Sequence, residues 1–255
     1  MSMFYTTIAR YYDAENSDKT DDLVMYTELA EEYGSPILDI GCGTGRVMMH
    51  LAQEDLDVHG IDYDEAMLEV AEHKREAMPH LKDKLTIYKG NVLTYQLEKR
   101  FRMVLLTYNM LTHFREQAAQ IELLKRLREL VDDDGVLVID LPNAGNVYAS
   151  EDTDAVTLER TFVVPDSGHL VMQQSVSTLD RAEQLLHVTW IYDEVTADGT
   201  LKRVYAPLIV RYFFLAELRL LLQLTGFKVD EVYGEYDGSE YLDGSSRLIV
   251  IAKPK

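Results

Sequence analysis

Residues 37–46, ILDIGCGTGR, constrain this chain more than any other stretch, because an apolar strand runs straight into three alternate glycines and then into a helical pattern. A corner of that kind needs backbone that turns tightly, admits a ligand against the main chain and opens onto a helix N-terminus. Gly41, Gly43 and Gly45 supply it. A dinucleotide fingerprint, G-x-G-x-x-G, wants its third glycine where this chain has Arg46, and without it the helix cannot approach a pyrophosphate as a dinucleotide loop does. Asp39 stands just before the loop, placed to accept hydrogen bonds from its amides or to face a cationic amino acid. Asp62, seventeen residues beyond Gly45, ends a second apolar run, LDVHGID, where a carboxylate can accept both hydroxyls of a ribose.

Helical and strand periodicities alternate through residue 142. Leu23, Tyr26, Leu29, Ala30 and Tyr33 form a helical stripe that ends at Gly34 and Pro36, and Val47, Met48, Leu51 and Ala52 form the next. Asp64 reads as the N-cap of a helix carrying Met67, Leu68, Val70 and Ala71. KLTIYKGNV and RMVLLTYNM read as third and fourth strands, the stripe Ala118 to Val131 as a helix, DDDG as a turn and GVLVIDLPN as a fifth strand. From 155 to 212 the pattern changes to four β-like stretches joined by the turn-rich links PDSGH, DRAEQ and TADGT. A helix, LAELRLLLQLTGF, and two strands, KVDEVYG and RLIVIAKPK, close the chain. The expectation is an α/β fold: a doubly wound, mostly parallel, seven-stranded Rossmann-like sheet from residues 1–154 and 213–255, with an antiparallel β insert over 155–212 after the fifth strand.

The 44 acidic against 25 basic residues leave a net charge of −19, which disfavours a nucleic-acid partner because the basic residues are scattered. No apolar run reaches bilayer length and the N-terminus lacks a signal-type apolar stretch, so no membrane association and a cytoplasmic setting are expected, in keeping with the single Cys42. Cys42 is expected to pack, and the ten methionines to fill core. No compact His/Asp/Glu cluster suggests a metal.

ILDIGCGTGR followed by GIDYDEAML resembles the class I S-adenosylmethionine-dependent methyltransferases from first strand to second helix. The resemblance implies S-adenosylmethionine as cofactor, with S-adenosylhomocysteine as product. On it, Asp39, the loop Gly41 to Gly45 and Arg46 would line the methionine part, Asp62 the ribose, and Tyr63 and Met67 the adenine. In KGNVL the family commonly has an acid where this chain has Asn91, whose carbonyl oxygen can still accept from the adenine amino group, with the Val92 amide on the ring.

The acceptor side is expected at the end of the fourth strand, TYNMLTHF, because in-line methyl transfer mainly needs a held acceptor and a deprotonated nucleophile. The Asn/Asp-Pro-Pro-aromatic tetrapeptide of nucleic-acid and glutamine amino-methyltransferases is absent, which points to a small-molecule acceptor. This stretch, and the Tyr12-Asp13 pair in ARYYDAENSD, are similar to the sugar-amine N-methyltransferases. That similarity implies His113 as a base facing the acceptor, Tyr108 beside the cofactor, Asn109 beside the acceptor, and residues 1–20 as a lid in which Tyr12 contacts cofactor and reacting atoms. His113 is equally readable as a residue that satisfies a backbone carbonyl beside the Thr112 turn. Asn143, at the end of the fifth strand, and Arg211 with Tyr212, at the end of the insert, are candidates for acceptor binding, Arg211 alternatively for pairing a structural acid. The function expected is methylation of a nitrogen or oxygen on a small molecule; the alternatives are a non-catalytic S-adenosylmethionine-binding protein and a nicotinamide-dependent oxidoreductase. Exposed strand edges of the insert allow homodimerisation.

Overall fold

The computed structural model describes residues 3–150 and 153–255. Seven strands form one sheet: β1 Ile37–Ile40, β2 Val58–Asp62, β3 Leu85–Lys89, β4 Phe101–Leu106, β5 Val131–Pro142, β10 Phe227–Tyr233 and β11 Arg247–Pro254, in the order β10-β11-β5-β4-β1-β2-β3. β5, β4, β1, β2 and β3 are mutually parallel, and β11 runs antiparallel between β5 and β10. From β1 the chain winds outward to β2 and β3, then returns to β4 on the other side of β1. The switch between β1 and β4 opens a crevice at the carboxyl ends of the strands, where α/β sheets bind ligands.

Helices cover both faces. Leu38, Val104 and Ile139 face a layer with α5 Gln117–Leu130 and α7 Leu215–Leu224, whereas Ile37, Met103 and Val138 face α2 Asp21–Tyr33 and α3 Arg46–Gln53. β1 is buried along its whole length, as its uninterrupted apolar run and both-face coverage require. Asp64 caps α4 Glu65–Ala77 by accepting from the Met67 amide at 3.1 Å, as its sequence position implies.

Two local expectations change. DDDG is no turn between elements: β5 starts at Val131, paired with Phe101, and the register then jumps so that Met103 pairs with Val136. The intervening acids form a bulge because they have cationic partners, Asp133 on Arg100 at 2.7 Å and Asp134 on Arg102. β4 stops at Leu106, short of the expected Met110, because Tyr108 and Asn109 take left-handed φ values of 42° and 70°.

A second, four-stranded antiparallel sheet holds β6 Thr153–Val163, β7 Leu170–Asp180, β8 Leu185–Val195 and β9 Leu201–Arg211 in simple up-and-down order. It follows the short helix α6 Ala144–Ala149 and begins two positions before the expected 155; residues 151–152, at that junction, and Met1–Ser2 of the expected lid lie outside the described residues. The N-terminal segment is a helix, α1 Phe4–Glu15, packed on this sheet through Phe4, Ile8 and Tyr11 against Val171, Tyr192 and Ala206. No helix among the described residues is long and apolar enough to cross a membrane.

Candidate active site

A cavity of about 260 Å³ sits at the switch between β1 and β4, walled by the glycine loop, Asp62 to Asp64, Gly90 to Leu93 and the segment after β4, with Tyr5 and Tyr12 of α1 above it. Gly41 takes φ 71°, and a Cβ there would run into the Met110 sulfur, so only glycine lets the loop pass this wall. Gly45, at φ 80°, turns the chain into α3 but does not line the cavity; its part is the corner, not ligand contact.

Asp62, not Asp39, receives the loop amide: Gly43 N donates to its Oδ2 and Asp64 N to its Oδ1, each at 2.9 Å. Those bonds fix the carboxylate while leaving each oxygen a second lone pair, the acceptor geometry that a pair of ribose hydroxyls needs. Burial nevertheless raises its pKa, so further donors from a ligand would stabilise the charged form. Asp39 is 1% exposed, and its one hydrogen bond among the described residues comes from Thr107 Oγ1 at 3.2 Å. Burial pushes it up to about 7, against the lowering pull of Thr107 and the Arg46 charge. A buried carboxylate on a cavity wall with no cation bonded to it fits the ammonium of an amino-acid ligand. Asp39 and Asp62 therefore fit the two ends of an aminoacyl nucleoside, and nothing in the loop is shaped for a diphosphate.

Toward the base end, Tyr63, Met67, Asn91 and Val92 all line the cavity, with Tyr63 44% exposed and Met67 buried. Asn91 Oδ1 already accepts from the Leu93 amide at 3.0 Å, so it shapes this turn and has one lone pair left for a ligand.

Over the cavity, Tyr5 Oη lies 2.9 Å from His113 Nε2, with the rings edge to face, and Tyr12 packs on Tyr5. Burial drives His113 down to about 4, so the ring is neutral at pH 7, unlike the near-neutral base expected from the residue type alone. Burial likewise raises Tyr5 and Tyr12, which remain phenols. Asp13, beside Tyr12, accepts from Thr44 Oγ1 at 2.7 Å and pairs with Lys74, while Thr6 donates to Asp64 Oδ2 at 2.7 Å. α1 is thus latched to both the glycine loop and the α4 N-terminus.

Other candidates go elsewhere. Arg46 lines the cavity, but both terminal nitrogens bind Asp22, at 2.8 and 2.5 Å, and one also reaches Lys19 O, so the guanidinium ties α2 to the loop rather than reaching for a ligand. Tyr108 lines the wall, whereas Asn109 turns away and accepts from Arg247 at 2.8 Å. Asn143 caps α6 through Gly145 N and donates to Ser245 O. Arg211 pairs with Glu217 and Gln184, and Tyr212 is buried against Phe214. None of Asn109, Asn143, Arg211 and Tyr212 lines the cavity; the first three bond to local partners and the Tyr212 ring packs in the core. Tyr5 and Tyr11 are the neighbours in sequence that could take the lid role of Tyr12; Tyr5 joins Tyr12 on the cavity, as their seven-residue spacing, two helical turns, allows, whereas Tyr11 packs on the insert.

Comparison with known proteins agrees with this geometry. Residues 37–135 match the family described as a methyltransferase domain. The chain is 25% identical over 220 residues to a cypemycin N-terminal methyltransferase of Streptomyces, covering 86% of this chain and 82% of that one. It is 26% identical over 138 residues to a dTDP-3-amino-3,4,6-trideoxy-alpha-D-glucopyranose N,N-dimethyltransferase of Streptomyces venezuelae, 54% of each chain. It spans little more than half of that sugar enzyme, and 58% of a Geobacillus methyltransferase homologue at 28% identity. In fold it superposes on the CcbJ methyltransferase of Streptomyces caelestis with a TM-score of 0.83 at 24% identity, over 99% of this chain and 98% of that one. The matched methyltransferase domain begins at the strand that carries the glycine loop and takes in β1 to β4, and the likeness to CcbJ extends the same fold over the rest of the chain.

Proposed function

We propose that this protein methylates a nitrogen of a small-molecule amine, with the cofactor held by Asp39, Asp62 and the glycine loop and the acceptor held under Tyr5 and His113. Bound S-adenosylmethionine would supply an electrophilic methyl group. The observation that carries nitrogen over oxygen is the state of the wall. A phenol or alcohol must lose a proton to attack, and His113, at about 4, is too weak a base to take it, while Tyr5 and Tyr12 hold their own protons more tightly than usual. A neutral amine has its lone pair already. It needs only desolvation, which enclosure beneath Tyr5, Tyr12 and His113 supplies by disfavouring its ammonium form, and an acceptor for its N–H. With the His113 proton on Nδ1, Tyr5 donates to Nε2 and keeps its oxygen lone pairs for that N–H. The relatives' names point the same way, one to the N-terminus of cypemycin and one to the nitrogen of an amino sugar.

α1 roofs this pocket through Tyr5 and Tyr12, excluding water and fixing the acceptor in line, while the insert, expected as the roof, contributes no residue to the cavity and backs α1 instead. The enzyme is read as cytoplasmic, in keeping with a lone buried Cys42. Exposed Val156, Leu158 and Val163 along the edge strand β6 support self-association through the insert, which sedimentation across a concentration series measures.

Purified protein incubated with S-adenosylmethionine and matched panels of small amines and phenols should release S-adenosylhomocysteine only with amines. Turnover confined to phenols would refute the nitrogen reading, and cofactor binding with no turnover on either panel would leave a binding protein. Asp62→Ala should weaken cofactor binding by about 10- to 100-fold, the loss of hydrogen bonds to a charged group; an unchanged dissociation constant would remove Asp62 from the ribose site.

A further inference from the structure

We infer that Lys19, in the linker between α1 and α2, binds the α-carboxylate of the cofactor's methionine moiety; the inference rests on the cofactor reading above. Lys19 Nζ lies over the Tyr108 ring, 4.2 Å from its centroid, and Tyr108 forms part of the cavity wall. Its carbonyl accepts from Arg46, another wall residue, at 3.0 Å. Beyond that ring contact the ammonium makes no hydrogen bond or ion pair among the described residues.

That isolation is unusual in a chain with 44 acids. The neighbouring cations are all neutralised: Arg46 by Asp22, Arg160 by Asp18 and Arg247 by Asp140. Glu15, the acid nearest in charge effect, is half-buried and committed to Gln173 and Tyr192. Burial and the surrounding cations lower the Lys19 pKa to about 8, which leaves it charged at neutrality and in want of an anion. Asp39 is the complementary case, a buried carboxylate with no bonded cation, and it touches Thr107, the residue adjoining Tyr108. An unpaired carboxylate and an unpaired ammonium against two consecutive wall residues match the charges of an α-amino acid, one for its ammonium and one for its carboxylate. Arg46 cannot take the second role because its terminal nitrogens are on Asp22.

Decarboxylated S-adenosylmethionine tests this, since it keeps nucleoside, sulfonium and ammonium and loses only the carboxylate. Calorimetric titration of the wild type should show S-adenosylmethionine binding at least about tenfold more tightly than the analogue, the size of one charge-assisted hydrogen bond. In Lys19→Met the natural cofactor should weaken by that factor and the analogue should not, so the two converge; Lys19→Arg should restore most of the gap. Persistence of the gap in Lys19→Met, equal weakening of both ligands, or no gap in the wild type would each overturn the assignment. Failure of the wild type to bind either ligand would instead sink the cofactor reading itself.

Discussion

His113 shows how environment decides what a residue type can do. Its ring is enclosed with no carboxylate beside it, so desolvation alone sets its titration, at about 4. Its folded pKa is below the unfolded value of about 6.5, so between those values the unfolded chain binds a proton that the folded chain does not. His113 therefore costs stability as the pH falls from about 6.5 toward 4 and contributes nothing to the pH dependence above about 6.5. Activity should follow suit: kcat/KM measured from pH 6 to 9 should lack a limb near 6.5, and its acid limb should shift with the pKa of the amine supplied. A limb fixed near 6.5 for every acceptor and absent in His113→Asn would show that the ring titrates as a base. The sequence named His113 but could not state its protonation, because burial by α1 is a tertiary fact. Asp62 was legible as a strand-end acid beside the glycine loop, because strand-end position and glycine spacing are local, but its bond from the Gly43 amide, expected of Asp39, was not. Arg211 and Asn143 were legible only as polar residues near strand ends; the partners that claim them, Glu217 and Ser245, come from other elements.

At the level of elements, the turn after β4 carries the strain. Tyr108 and Asn109 both hold left-handed backbone, at a cost of order 1 kcal/mol or more each, so surrounding structure must impose it. Asp140, buried at the end of β5, does so: it accepts from the Tyr108 amide at 3.3 Å, from Tyr26 and Tyr236 at 2.9 Å each, and from Arg247 of β11. Arg247 in turn donates to Asn109. Three elements far apart in sequence thus converge on one wall residue, Tyr108, which no period or motif could have announced, while the strands themselves were plain from apolar runs. Asn109→Gly should separate the two effects, since glycine adopts the same φ freely and leaves the Asp140 to Arg247 pair intact. Thermal stability should then change by no more than about 1 kcal/mol, while S-adenosylmethionine affinity falls several-fold as Tyr108 loosens. An unchanged affinity would mean that Tyr108 does not depend on this clamp.

In the whole molecule, the apolar clusters divide unequally. The two that sandwich the seven-stranded sheet contain no residue of α1, while the third is built from α1 and the insert: Phe4, Ile8 and Tyr11 with Val164, Val171, Tyr192 and Ala206. Polar contacts repeat the division. Tyr11 donates to buried Glu194 at 2.9 Å and stacks on Tyr192 at 5.2 Å, and Tyr192 donates to Glu15 at 2.9 Å. α1 is the insert's missing core layer as well as the cover of the cavity, a double role hidden from the sequence because its apolar stripe is short and its partner sheet lies some 150 residues away. Elements that share one core open together. Removal of residues 1–15 should therefore do two things at once: weaken cofactor retention, and raise amide hydrogen exchange in β7, β8 and β9 while β1, β4 and β5 stay protected. Equal loss of protection in both sheets would show a single cooperative unit, and unchanged exchange in the insert would show that β6 to β9 stand without the helix. Only in the case argued here would cofactor binding, by ordering α1 over the cavity, also slow exchange in an insert sheet that does not line the cofactor site, and the full-length chain titrated with S-adenosylhomocysteine should display that slowing.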